Sequence, residues 1–325
     1  MDGRIKFQLY AEEGVPYYLL VYPDQEKTQI FVSQAGRCRK VDDVGHEKWE
    51  FAIRQCSRVL DFSCVWAHLR LSTSEVHMIY SIHPMVVGTK VFDKGMMTYQ
   101  HDYGREYTIP IYSWYIKGGD KNILIDTGEM HPIQSEAREQ AVGGPVVTFE
   151  QGLARFGLNP EDIDVVIHTH LHNDHCENDS KCTNAVFYCH SRELETIHDP
   201  HPLDFRYLED FIEDVEENGQ IRTVVDGQEI LPGIRVMHTP VHTEGGLTVF
   251  IQTKQGQAAI TGFCVIEENF FPPPQIRGME MEVIPPGTVV NTYHAYDIML
   301  RVKEQADILI PLHEPKFAGM EQIPE

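Results

Sequence analysis

The sequence predicts an α/β protein of mixed α+β build, one large domain with a small α+β extension at its N-terminal end. Three observations predict it. At 325 residues the chain exceeds what one compact core usually needs, which suggests a domain plus an appendage. The β-branched run Val165-Val166-Ile167 reads as a buried strand of the kind found in parallel sheets. Strand, helix and strand follow one another between residues 122 and 167, the order of a βαβ-like unit whose loop residues gather at the carboxyl end of the strand. With 42% apolar and 23% charged residues, there is material for a substantial core.

The elements follow in order. In the extension, residues 1–76, Tyr17–Tyr22 and Gln29–Val32 read as strands around the turn-like Pro23-Asp24-Gln25, and a helix begins at Glu47 and runs to about Leu60. Cys56, Cys64 and His68 lack the second ligand pair of a zinc knuckle and read as core or surface residues. This extension suits a subunit contact in a homo-oligomer, or a cover over part of the larger domain. The larger domain is expected over 77–325. It opens with strands at Val76–His83 and Tyr112–Ile116, and the latter turns through Gly118-Gly119-Asp120 into Asn122–Asp126 as a hairpin. After a polar segment, 129–147, a helix near Phe149–Phe156 stops at Gly157. Beyond Val165–Ile167 come a strand at Ala185–Cys189 and a helix, Arg192–Ile197, capped by Ser191. Leu203, Tyr207, Leu208, Phe211, Ile212 and Val215 fall at helical spacing, so 204–217 reads as an amphipathic helix with a solvated acidic face. A strand over Ile234–His238, a rigid aromatic loop at Phe270–Pro274, a helix over Ala295–Glu304 and a strand ending at His313 complete the chain.

The chemistry concentrates where the Val165–Ile167 strand ends. Residues 168–175 hold His168, His170, His172, Asp174 and His175. In extended backbone, positions two apart share a side, so His170, His172 and Asp174 converge while His175 reaches in from the next turn. Four imidazoles and a carboxylate beside a buried strand are costly to leave unpaired, and together they suit zinc, iron, nickel or manganese. Cys176, Cys182, Cys189 and His190 match no zinc knuckle; the thiols read as buried and free.

His170-Leu171-His172-Asn173-Asp174-His175 resembles the His-x-His-x-Asp-His motif of the metallo-β-lactamase superfamily. Four further stretches resemble that family's motifs in order: Asp126-Thr127-Gly128, Pro240-Val241-His242-Thr243, Gly262-Phe263-Cys264 and Pro311-Leu312-His313. The resemblance spans about residues 77–320. It implies an αββα sandwich, two sheets face to face with helices outside and metals at one edge. It also implies that His170, His172 and His242 bind one metal, that Asp174, His175 and His313 bind a second, and that Asp126 supports the ligand loop. His168 lies outside the pattern. Two positions depart from it. Val241 stands where the family has Gly, and Phe263 where most members have a bridging Asp. Gly262-Phe263-Cys264 resembles the Gly-Gly-Cys of those zinc β-lactamases that place a cysteine in the second site, which implies Cys264 as a thiolate ligand of the second metal; the alternative is a buried thiol beside the strand.

Ile109–Ile116 followed by Leu124–Gly128 is most similar to the N-acyl homoserine lactonase group. The function implied is metal-dependent hydrolysis of a lactone or ester, by a metal-activated hydroxide on a carbonyl, with one or two divalent metals, zinc foremost. Asp174 would carry a proton to the leaving group. A thioesterase of the glyoxalase II kind or an amide hydrolase could use the same site. A diiron oxygen or nitric oxide reductase would need Glu in place of His172 and a flavin domain. A non-catalytic metal-binding or sensing protein is the alternative from another class.

A net charge of −22 speaks against a nucleic-acid substrate, so a small molecule is expected. No apolar run approaches the ~20 residues of a membrane span. Met1–Lys6 lack the apolar core of a secretory leader, and seven irregularly spaced cysteines suit a reducing compartment, so a cytoplasmic protein is expected.

Overall fold

Side chains alternate across a strand, so a short apolar strand with both faces covered must lie between two layers. The computed structural model describes residues 78–324 and the backbone of four strands between residues 5 and 45. Those four, β1 (Ile5–Tyr10), β2 (Pro16–Tyr22), β3 (Lys27–Gln34) and β4 (Arg37–Gly45), form an antiparallel sheet in sequential order. They belong to a compact unit, Met1–Val76, separate from a second, His77–Glu325. The helix expected from Glu47, the residues Cys56, Cys64 and His68, and any subunit contact of 1–76 lie outside the described residues.

The second unit holds two sheets. One contains β5 (Ser81–Asp93), β6 (Glu106–Lys117), β7 (Ile123–Ile125), β8 (Val165–Ile167), β9 (Val186–His190) and β10 (Ile221–Val224), in the order β10-β9-β8-β7-β6-β5. β7 to β10 run parallel, while β5, β6 and β7 pair antiparallel. The other sheet contains β11 (Glu229–Leu231), β12 (Ile234–His238), β13 (Leu247–Thr253), β14 (Gly256–Ile260) and β15 (Ile308–Ile310), in sequential order.

Alternation decides the layering. Ile123, Ile125, Val165 and Ile167 share a buried cluster with Leu247, Val249, Ile251, Ala258 and Ile260 of the other sheet. Their neighbours Leu124 and Val166 face the opposite way, onto Phe149, Leu153 and Ile197. Likewise Phe250 and Ala259 turn outward onto Ile298, Met299 and Val302. A first helix, α1 (Glu136–Val142), sends Val142 into the cluster between the sheets, while the covering helices on one side include α2 (Phe149–Ala154), α4 (Ser191–His198) and α5 (Glu213–Glu217), with the single turn α3 (Asn173–Cys176) between α2 and α4 in sequence. On the other side lies α6 (Thr292–Gln305). The unit is an αββα sandwich. No helix among the described residues is long and apolar enough to cross a membrane.

Several boundaries differ from the sequence reading. β5 starts at Ser81 rather than Val76 and reaches Asp93. β6 begins six residues before Tyr112 despite Pro110. β7 pairs only with Trp114–Ile116, so at Pro110 the strand has an open side and needs no amide donor there. Ser191 is the first residue of α4 rather than its cap; the cap is His190, whose Nδ1 accepts from Arg192 N. α6 begins at Thr292, because the Asn291 side chain accepts from His294 N and caps it three residues earlier. Phe270 closes a buried helical turn, so only Phe271 of that aromatic pair is exposed.

Candidate metal centre

The loops that follow β7, β8, β12 and β15 build the site. At the end of β7, Asp126 adopts a left-handed φ of 57°, and Gly128 follows at 74°. A Cβ at Gly128 would sit 2.0 Å from Val87 Cγ2, so the turn excludes other residues. Left-handed backbone at a non-glycine residue costs energy that surrounding contacts must offset. At Asp126 those contacts are abundant. Its carboxylate accepts from Thr169 N and Thr169 Oγ1, both at 2.7 Å, and from His175 Nδ1 at 2.9 Å. Burial by itself would raise the Asp126 pKa, but His175 and His168 outweigh it and hold it at about 2. Asp126 therefore stays ionised and pins the start of the ligand loop to β7.

His168 ends β8. Its Nε2 lies 2.8 Å from Asp179 and its Nδ1 3.6 Å from Asp126. Burial works against the imidazolium, yet the two carboxylates prevail and raise its pKa to about 10. A protonated ring has no lone pair to offer a metal, so His168 acts as a buried cation between two acids.

The remaining histidines gather. His170, His172 and His242 each offer a nitrogen within 4.8 Å of the others, and all three are buried. Their ring centroids lie 4.7 Å (170–172), 4.9 Å (172–242) and 5.3 Å (170–242) apart. His175 is 4.1 Å from His170, and His313 is 5.5 Å from His175. Asp174 Oδ1 is 4.0 Å from His175 Nε2. The structure thus brings His170, His172, His242, His175, His313 and Asp174 to one place from three separate stretches of chain.

Second contacts orient the rings. His242 Nδ1 donates to Thr288 O at 2.9 Å and His313 Nδ1 to Pro110 O at 3.0 Å, which leaves each Nε2 with the ring's lone pair. Thr169 Oγ1, already donating to Asp126, accepts from His170 Nδ1 at 3.0 Å. His172 Nε2 meets Asp204 at 3.2 Å, so its Nδ1 is the free nitrogen. Burial, reinforced by neighbouring imidazoles, pushes His170 and His242 well below the usual histidine range. Burial lowers His172 as well, against the pull of Asp204, and takes His313 to about 4. Asp174 would be raised by burial, but His175, Lys90 and His172 lower it and keep it a carboxylate. The neutral imidazoles of His170, His172, His242 and His313, with a nearby carboxylate, fit a divalent transition metal; burial works against a charged His175, but Asp126 and Asp174 raise its pKa.

Cys264 is not one of the three-histidine group. Its Sγ is 3.6 Å from Met97 Sδ, in a small apolar cluster with Ile109, Ile111 and Ile266. Burial pushes the thiol up to about 12, against a hydrogen bond from Thr288. Phe263 is fully buried on the helix side with Phe270, so this loop supplies no bridging carboxylate. A Cβ at Gly262 would fall 1.9 Å from Leu247 O, which explains the glycine. Val241 is buried beneath α6 and is absent from the residues of positive φ, so its position does not need a glycine.

The amphipathic helix expected over 204–217 is corrected. Only Glu209–Phe211 (a 3-10 turn) and α5 are helical; Asp204–Leu208 is irregular and enters the site. Arg206 Nε donates to Asp204 Oδ1 at 2.6 Å, and its Nη1 donates to His242 Nε2 at 3.2 Å. Tyr207 packs its ring 4.6 Å from His172 and donates to Glu193. Such contacts are worth more than the one or two helical bonds they replace. A period-two pattern was the available signal, with apolar Leu203 and Phe205 alternating with charged Asp204 and Arg206. Glu193 and Thr288 carried no signal, since each acts across a long sequence separation. Glu193, buried on α4, accepts from Leu171 N, Gly245 N and Tyr207 OH, so one carboxylate ties three loops together.

His101, Asp102 and Glu268 also converge, but buried Lys94 pairs with both carboxylates. That makes an internal ion-pair network rather than a second metal site.

Residues 107–296 match the metallo-beta-lactamase superfamily. An N-acyl homoserine lactonase of Bacillus sp. is 25% identical over 195 residues, covering 55% of this chain and 74% of the relative. The N-acyl homoserine lactonase AiiB of Agrobacterium fabrum is 23% identical over 195 residues, covering 54% and 71%. Among solved structures, an N-acyl homoserine lactone hydrolase with the product N-hexanoyl-L-homoserine at its catalytic metal center aligns with a TM-score of 0.56. It is 21% identical and covers 73% of this chain and 94% of that one. The hydrolase AbOPH aligns at 0.55 with 18% identity, covering 74% and 88%. At such identities the structural likeness speaks for the fold alone. The superfamily match, however, spans more than half of the chain, and the same stretch contains the buried histidines of the loops after β8 and β12: the protein belongs to the metallo-beta-lactamase superfamily of metal-dependent hydrolases.

Proposed function

We propose that the protein hydrolyses a small lactone or ester, with a zinc ion held by His170, His172 and His242. The observation that carries this reading is the buried three-histidine group, whose nitrogens lie within 4.8 Å of one another. The lactonase relatives, at 23–25% identity, support the substrate class. A divalent cation there would polarise a carbonyl and make water acidic enough to attack it near neutral pH. Asp174, His175 and His313 are the donors for a second ion.

The chain's own groups supply the rest. Asp174 is kept ionised beside His175, with one oxygen 4.0 Å from Nε2, and is placed to take a proton and pass it to a leaving alcohol. Lys90, paired with Glu129 at 2.5 Å, adds positive charge on the side of Asp174. A protein of net charge −22 suits a small neutral substrate better than a polyanion.

The test is metal quantification together with a panel of lactones, esters and thioesters. Wild type should hold zinc and cleave a lactone or ester. His170→Ala should lose most of the metal, and Asp174→Asn should keep the zinc of the three-histidine group but lose turnover by about a hundredfold or more. Zinc-loaded protein that cleaves no member of the panel would sink the hydrolase reading.

A further inference from the structure

We infer that Arg206 is the recognition residue for a carboxylate at the site mouth, and that it is held on His242 until a metal takes its place. The inference rests on the proposed function, which it deepens.

Arg206 spans two of the three histidines. Its Nη1 donates to His242 Nε2 at 3.2 Å and its Nε to Asp204 Oδ1 at 2.6 Å, while Asp204 Oδ2 accepts from His172 Nε2 at 3.2 Å. His242 Nδ1 is committed to the Thr288 carbonyl, so Nε2 carries the ring's single lone pair. One lone pair cannot serve both a guanidinium proton and a metal ion. A cation coordinated at that nitrogen would displace the Nη1–H hydrogen bond, whereas the Nε bond to Asp204 would still tether the guanidinium beside the site.

The released group must find an acceptor. A guanidinium cannot lose its charge, and it presents its donors as a planar fork that matches a carboxylate. Arg206 is one-third exposed, at 33% of its side chain, so a ligand can reach it. Asp204 divides its charge between Arg206 and His172, so it does not fully quench the guanidinium. Hydrolysis of a lactone or ester turns an uncharged carbonyl into a carboxylate. An arginine in this position favours the charge that develops and binds the product more strongly than the substrate. In so acidic a chain, such a residue concentrates anion recognition at one point rather than over the surface.

Two measurements test the inference without relying on turnover. Zinc affinity is measured by competition with a chromophoric chelator for wild type, Arg206→Gln and Arg206→Lys. Binding of N-hexanoyl-L-homoserine and of acetate to the zinc-loaded proteins is followed by calorimetry, and melting temperatures check that the variants fold. Arg206→Gln should bind zinc about tenfold tighter, because a shorter, uncharged amide competes less for the His242 lone pair than a guanidinium, and should bind the carboxylates about tenfold more weakly. Arg206→Lys should recover part of the carboxylate affinity as a point charge, but not all of it. Equal zinc affinity in wild type and Arg206→Gln overturns the inference. Equal carboxylate affinity, or no binding of either carboxylate by wild type, overturns it too. Protein that shows both shifts yet cleaves no lactone or ester would sink the substrate reading and leave this one standing.

Discussion

Asp126 shows how one buried carboxylate can organise a site without touching a ligand's free nitrogen. It accepts from Thr169 twice and from His175, and it sits in strained left-handed backbone. Its neighbour in charge, His168, holds a proton between Asp179 and Asp126. Asp179→Asn leaves that imidazolium half compensated, and breaking a buried pair in this way costs about 3–5 kcal/mol. The pH dependence follows from the direction of the His168 shift. Its pKa rises from an unfolded value of ~6.5 to about 10, so the pair's contribution is complete below ~6.5 and fades as pH climbs toward 10. Urea unfolding of wild type and Asp179→Asn at pH 6 and pH 9 checks this. The gap between the two proteins should be wider at pH 6, and an equal gap would mean that His168 is not charged in the fold.

At the scale of elements, the loops matter more than the strands they follow. α4 is one example. From its first turn, Glu193 receives Leu171 N at 2.8 Å, Gly245 N at 3.0 Å and Tyr207 OH at 3.0 Å. These donors belong to the loop after β8, the loop after β12 and the irregular 204–208 segment, which carry His172, His242 and Arg206. Glu193→Ala would orphan three buried donors, each worth about 1–3 kcal/mol. We expect a loss of at least about 3 kcal/mol in denaturant unfolding and a zinc affinity about ten- to a hundredfold weaker, although no proposed ligand is changed. Unchanged zinc affinity would show that the histidine loops hold their positions independently of α4.

At the scale of the whole molecule, every histidine of the proposed centre lies in the unit His77–Glu325, as do both sheets that face each other across the core. A fragment starting at His77 should therefore fold cooperatively and bind zinc as tightly as the full chain, within a factor of about three. Thermal unfolding and a zinc titration of the fragment would decide it. A fragment that aggregates or fails to bind zinc would assign residues 1–76 a part in forming the site.

The sequence by itself showed which strands are buried on both faces and grouped most of the candidate ligands, while the layer order came from the family resemblance. Strands such as Ile123–Ile125 and Val165–Ile167 are too short and too apolar to be anything but buried on both faces, and His170, His172, Asp174 and His175 fall within six consecutive residues. Local pattern suffices for such features because neighbours in the chain are neighbours in space. It failed at Asp204–Leu208, where apolar residues at helical spacing suggested a helix. There, Asp204, Arg206 and Tyr207 instead bind His172, His242 and Glu193, partners 14 to 36 residues away. The lone-pair directions of His242 and His313 were likewise hidden, since Thr288 and Pro110 fix them from 46 and 203 residues away. Only the tertiary structure decided these, because a hydrogen bond to a distant carbonyl leaves no trace in the periodicity of either partner's own segment.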